Sequence, residues 1–304
     1  MNHHLAQDIV ARHAAQLQTG TPLPLSECVR PQDAAHAEQV ACVLAACRSM
    51  GFVEEDAQLL ARAWDAQTRR TGRFDPAAWP DDPRDFGVDT GPRPDAFAPC
   101  PKRLGLYAVL PDAAWVGRMA EAGVPTLQLR LKSDDRAVVA REVQAAVRAV
   151  AGSGSLLFIN DHWREAIDAG AYGVHLGQED LAGAREHLDT LRAAGLRLGL
   201  STHGYAELLR AESVAPSYLA LGAVYATTLK RMATAPQGPA RLAAYARLMR
   251  HRPLVAIGGI DFARLDEVLP SGVGSVAVVR ALVAAEDPTL EARRFMARLA
   301  GNAS

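Results

Sequence analysis

LLFINDHWREAIDAGAYGVHL, residues 156–176, sets the frame for the whole chain. Two short apolar runs, Leu156 to Asn160 and Gly173 to Leu176, flank a helical stretch, as parallel strands joined by a crossover helix do. The same rhythm extends outward through Leu104 to Leu110, Thr126 to Leu131, Leu196 to Ser201, Tyr218 to Gly222, Leu254 to Gly258 and Ser275 to Val279. Eight strand-helix units in about two hundred residues predict an α/β fold, a compact (β/α)8 TIM barrel over residues 104–304. A doubly wound sheet needs fewer strands and a glycine-rich first turn, which this chain lacks.

Upstream the pattern changes. Val40, Val43, Leu44 and Cys47 recur at helical spacing between Asp33, an N-cap candidate, and Gly51. Glu54, Glu55 and Asp56 supply first-turn acids to a second helix with the apolar stripe Leu59, Leu60, Ala63 and Trp64, ended by Gly72. Pro76, Pro80, Pro83, Pro92, Pro94, Pro99 and Pro101 then rule out a long regular element. The chain divides into a small helical region, 1–72, a Pro-rich linker or irregular wrap, 73–103, and the barrel.

The 304 residues carry a formal net charge of −1 from 33 basic and 34 acidic side chains, so no global field recruits nucleic acid or an anionic membrane. Residues 1–100 hold 9 Arg, no Lys and 14 acids, a balance of −5, which leaves +4 for the remainder. No run of eighteen apolar residues occurs, and Met1 to His4 do not open a signal peptide, so a cytoplasmic protein is expected. Cys28, Cys42, Cys47 and Cys100 match neither a zinc site nor a redox pair and are expected to be chemically idle.

Barrel enzymes place their chemistry at the C-terminal ends of the strands. Gln128, Arg130 and Lys132 alternate with Leu127, Leu129 and Leu131, so period two puts the three polar side chains on one face, expected to point inward toward the mouth. Asp161 and Asp180 follow adjacent strands. Each alone fits a helix N-cap, but together beside Arg and Lys they suit a magnesium ion that binds few carboxylates and substrate phosphate oxygens. Ser201, Thr202 and His203 end the fifth run, and Thr227, Thr228 and Lys230 follow the sixth. His203 has no evident base partner and is expected to orient substrate or structure. Gly258 and Gly259 let backbone N–H groups approach an anion after strand seven, and Val279 and Arg280 follow strand eight, the recurrent phosphate region of such barrels. One site with two anion-binding regions suggests transfer of a group from a diphosphate ester to a phosphorylated acceptor, without a covalent enzyme intermediate.

The runs Gln128 to Lys132, Phe158 to Asp161, Gly173 to Asp180, Leu200 to His203, Thr227 to Lys230 with Ala235 to Gly238, and Ala256 to Ile260 together resemble the thiamine-phosphate synthase family. The resemblance spans residues 104 to about 300. It implies that hydroxymethylpyrimidine diphosphate and hydroxyethylthiazole phosphate are joined, by a dissociative route, to give thiamine phosphate and diphosphate. It further implies that Gln128, Leu129, Arg130, Leu131, Lys132, Asn160, Ser201 and Lys230 meet the pyrimidine diphosphate. Asp161 and Asp180 would hold Mg2+, and Thr227, Thr228, Leu229, Gly259, Val279 and Arg280 would meet the thiazole phosphate. Arg130, Lys132, Ser201 and Lys230 are the implied catalytic set.

Two positions depart from the family pattern. Leu229 stands where a second threonine is usual, and Arg280 stands where a serine is usual; Arg280 is expected to reach the thiazole phosphate with its own charged donors. A thiazole tautomerase on the same barrel would not need the diphosphate residues, and a thiamine-precursor sensor would need an output surface that the acidic, Lys-free N-terminal region does not show. Homo-oligomerisation is compatible with a small barrel. The N-terminal region could cap the barrel, mediate assembly or bind another enzyme, and the barrel is expected to retain activity without it.

Overall fold

A computed structural model describes residues 3–20, 24–25, 35–227 and 234–301. Three helices come first, α1 (His3–Leu17), α2 (Ala35–Ser49) and α3 (Glu54–Thr71), followed by a single 3-10 turn at Pro83–Phe86. Strand and helix then alternate. The order is β1 (Gly105–Leu110), α4 (Ala113–Glu121), β2 (Thr126–Leu129), α5 (Arg136–Ala149), β3 (Leu156–Asn160), α6 (Trp163–Ala169) and β4 (Gly173–Leu176). Next come α7 (Gln178–Ala184), α8 (Leu188–Ala193), β5 (Arg197–Thr202), α9 (Tyr205–Glu212), β6 (Tyr218–Leu221) and α10 (Gly238–Leu248). The chain ends through β7 (Leu254–Ala256), α11 (Leu265–Val268), β8 (Ser275–Val278), α12 (Arg280–Val283) and α13 (Pro288–Ala300). All neighbouring strands are parallel and β8 pairs with β1, closing an eight-stranded barrel in chain order.

Side-chain alternation divides the core into two shells. Leu106, Ala108 and Leu110 of β1, Leu127 and Leu129 of β2, and Leu157 and Ile159 of β3 face the helices. Tyr107, Val109, Phe158, Tyr218, Ala220, Val255 and Ala277 face inward. Phe158 packs on Tyr107 and Tyr218 with ring centroids 5.9 and 5.1 Å away, so aromatic rings fill the barrel axis and leave space only at its C-terminal end.

The Pro-rich segment crosses the other end. Phe97 N–H donates to Ala215 O, Ser217 Oγ donates to Ala98 O, and Lys102 Nζ donates to Arg250 O. Beneath it the buried Glu212 carboxylate accepts hydrogen bonds from Arg252 at 2.6 Å and His251 at 3.2 Å. Burial pushes the Glu212 carboxyl up, but these two partners outweigh it and hold the group below its usual value.

The N-terminal helices dock on the barrel flank, α3 against α9 and α1 against α10. Phe52, Trp64 and Trp79 form an aromatic cluster there, and Trp79 Nε1 donates to the Tyr205 hydroxyl at 3.0 Å. α3 ends at a left-handed Gly72 whose N–H bonds Thr68 O. Asp33 and Cys28 lie outside the described residues. Cys42 and Cys47 are buried, where desolvation pushes the Cys47 thiol far up, and Cys100 Sγ meets Ser217 O. No described helix is long and apolar enough to cross a membrane.

Candidate active site

A cavity of about 470 Å³ opens at the C-terminal ends of the strands. Its wall includes Gln128, Arg130, Asn160, Asp161, Asp180 and Ser201 on one side, and Thr227, Gly259, Val279 and Arg280 on the other. These sequence-derived site residues are therefore brought together by the ends of β2 through β8 in turn. Leu129 and Leu131 pack instead toward the helices. Lys132 is exposed and outside the cavity wall. Period two carries only as far as the ladder does, and β2 stops at Leu129, so Lys132 sits on a loop that the alternation no longer orients. Thr228, Leu229 and Lys230 lie outside the described residues.

Gln128 and Asn160 are buried neighbours on β2 and β3, joined by Gln128 Nε2 donating to Asn160 Oδ1 at 3.3 Å. Asn160 in turn donates to Asp161 Oδ2 at 2.5 Å. Asp161 adopts a left-handed backbone, φ 63°, which turns its carboxylate back over the strand end toward Asp180. The two carboxyl groups come within hydrogen-bond reach. Although Asp161 lies at the rim, partial desolvation and then the facing Asp180 push its carboxyl up to about 6. Two carboxylates forced together are the donor set of a hard divalent cation. Groups of three or more metal-ligating side chains do not occur among the described residues, so water and substrate oxygens would complete the shell. Arg130 faces the pair electrostatically, and its guanidinium makes no hydrogen bond to another described residue.

Sequence reasoning passed over His175. It is buried on β4, with Nδ1 2.7 Å from the Tyr218 hydroxyl and Nε2 2.8 Å from Ser201 Oγ. Tyr218 continues to the Tyr107 hydroxyl at 2.7 Å. Burial, and then Arg130, push the imidazole down to about 3, so it is neutral and fixes Ser201 through one ring nitrogen. The signal was available: Gly173, His175 and Gly177 alternate with Val174 and Leu176, making His175 the one inward side chain of β4. His203 also has a partner that spacing reveals, Glu207 one helical turn later, whose carboxylate accepts from His203 N at 2.9 Å and meets Nδ1 at 2.6 Å.

At the opposite wall Gly258 and Gly259 have φ of 104° and 65°, conformations that bring their backbone to the cavity and exclude ordinary side chains. Arg280 is the first residue of α12 and exposed, and its guanidinium makes no hydrogen bond to another described residue. Arg264 also lines this wall; its Nη1 donates to Gly259 O at 2.7 Å while its guanidinium stacks 4.7 Å from the Tyr225 ring centroid. No local pattern marks it, because its place depends on loop seven folding back.

Known proteins are similar to this chain. A family model described as thiamine monophosphate synthase matches residues 106–282. Thiamine-phosphate synthase of Neisseria meningitidis serogroup A is 53% identical over 201 residues, covering 66% of this chain and 97% of the relative. That of Cronobacter sakazakii is 52% identical over 191 residues, 63% of this chain and 90% of the relative. Among solved structures, thiamine phosphate pyrophosphorylase from Pyrococcus furiosus matches with a TM-score of 0.59 at 27% identity, covering 66% of this chain and 98% of that one. About a third of the chain lies outside the matches to these relatives, and the family model, residues 106–282, covers most of the barrel. The family model covers more than half of the chain and the bacterial relatives are matched nearly end to end, so the chain belongs to the thiamine monophosphate synthase family.

Proposed function

We propose that this chain, a thiamine-phosphate synthase, joins 4-amino-2-methyl-5-hydroxymethylpyrimidine diphosphate to hydroxyethylthiazole phosphate in the strand-end cavity. The observation that carries the proposal is one cavity with two unlike anion sites: an acid pair with Arg130 on one wall, and Gly259 with Arg280 on the other. The bond between the pyrimidine methylene carbon and the diphosphate oxygen breaks, its electron pair leaving with diphosphate. The thiazole nitrogen lone pair then forms the new carbon–nitrogen bond.

Asp161 and Asp180 would hold Mg2+, which supplies positive charge to the diphosphate when bound. Arg130 donates to the departing oxygens, and Ser201, held by neutral His175, presents its hydroxyl from the adjacent strand. Gln128 and Asn160 form a fixed amide floor for the pyrimidine. Lys132, beyond the end of β2, adds charge toward the diphosphate, and the family resemblance gives Lys230 the same role. The thiazole phosphate takes backbone donors at Gly259 and Val279, the Thr227 region and the Arg280 guanidinium. Positioning and preorganised charge supply the rate.

The test is thiamine phosphate formation by the purified protein supplied with both precursors, with and without magnesium. Magnesium-dependent product is expected. Absence of product in protein that still binds thiazole phosphate would overturn the proposal and favour a tautomerase or a sensor.

A further inference from the structure

The N-terminal third lies outside the matched family region, yet its helices contact the elements that follow β5 and β6. α9 starts directly after Gly204, a residue with no side chain to cap the exposed amides of the first turn. The acceptor comes from α3. Asp56 Oδ1 accepts the Ala206 N–H at 2.8 Å across 150 residues, and the Tyr205 N–H bonds the same carboxylate. Asp56 is 3% exposed. A Cβ on residue 204 would lie 2.2 Å from Asp56 Oδ2, and its three nearest atoms all belong to that carboxylate. Glycine at 204 and aspartate at 56 are a matched pair, the one leaving the space that the other fills.

The capped turn directly follows two cavity residues, Ser201 and His203. Glu207, in that turn, holds His203 at 2.6 Å, and Ser201 lies two residues earlier. Arg210 on α9 touches both Glu55 of α3 and Gln178, and Gln178 Nε2 donates to Ser201 O at 2.8 Å. A second connection reaches the next loop. Arg241 on α10, also 3% exposed, donates to Leu17 O at 2.7 Å and Met50 O at 2.9 Å, at the ends of α1 and α2, with its guanidinium 3.6 Å over the Phe52 ring. It also reaches Gln237 Oε1 at 3.4 Å, and Gln237 N donates to Ala223 O at 2.8 Å, in the cavity wall.

We propose that the N-terminal helices are an external splint for the synthase site, with Asp56 and Arg241 as positioning residues that hold the cavity walls after β5 and β6. This rests on the cavity being the synthase site. It also replaces the simple picture of an autonomous barrel, because α9 has no cap of its own.

The test compares Asp56→Ala, Asp56→Asn and the double variant Asp56→Ala/Gly204→Ser in the full-length protein, at a temperature where circular dichroism shows each folded. Amide exchange at residues 201–206 is measured without substrates, so this arm reads the splint even if the wild type makes no thiamine phosphate. Asp56→Ala is expected to lower kcat about tenfold, with KM changed less than threefold, and to speed exchange at 201–206. Asp56→Asn, which keeps an acceptor, is expected to stay within twofold of wild type. The double variant, with a local serine cap, is expected to recover both kcat and exchange protection. A folded Asp56→Ala protein with kcat within twofold of wild type, or with unchanged exchange at 201–206, overturns the proposal. Should that variant not fold, the double variant decides: folded with wild-type kcat it supports the splint, and folded with kcat still tenfold down it overturns it.

Discussion

The two walls of the cavity, each proposed to hold an anion, are built of opposite materials. At β3 and β4 two carboxylates face each other and are useful only when positive charge comes between them. At β7 and β8 the wall is backbone and guanidinium, ready for an anion as it stands. The difference matches the tasks assigned to them. A leaving group that gains charge as it departs calls for concentrated positive charge at the bond being broken, whereas a phosphate that only anchors its substrate needs the same grip throughout.

That contrast breaks most visibly in residues assigned to the diphosphate. Asp161→Ala and Lys230→Ala are each expected to lower kcat by about 10²- to 10³-fold, read by steady-state product formation at saturating magnesium. Near-wild-type turnover in both would overturn the metal and diphosphate assignment. At the other wall Arg280→Ala is expected to raise the KM for thiazole phosphate about tenfold while kcat changes little, as uniform binding energy is lost. An unchanged KM would mean that backbone alone holds this phosphate.

His203→Ala should have a smaller effect, a few-fold in kcat, because its ring is occupied by Glu207. A loss of two orders of magnitude would promote it to the reaction itself. Glu212→Gln, at the far end of the barrel, is expected to leave turnover unchanged and to destabilise the fold by about 3 kcal/mol at neutral pH. The Glu212 carboxyl is held below its usual value, so its contribution is present above the unfolded pKa of about 4.3 and is lost as pH falls through the folded value. Denaturant unfolding of wild type and variant should therefore converge in acid, and a gap that persists at low pH would show that charge is not its source.

Most of the barrel was legible because a parallel strand between helices must be apolar, and the apolar runs begin within a residue of every observed strand. The ends overshoot at β2 and β7, where Leu131 and Ile257 continue the apolar text beyond the hydrogen-bonded ladder. Gln128, Asn160 and Ser201 were legible since a polar side chain on an inward face is costly to bury unless a polar neighbour or a ligand meets it there. His175 carried the same signal and was overlooked, while Arg264 carried none. The partnership of Asp56 with Gly204 could not be read at all: an acid at a first turn is ordinary, and nothing local in either residue names the other.

The bond from Arg241 to the carbonyl of Leu17 spans 224 residues. A ribosome delivers the acceptor early and the donor only when nearly four-fifths of the chain has been made. α1 and α2 therefore emerge well before the guanidinium that ties off their ends, and they must wait, incompletely packed, through the synthesis of β1 to β6. For a chain of this design the nascent N-terminal third is the exposed party, and its protection during synthesis falls to the speed of translation and to chaperones.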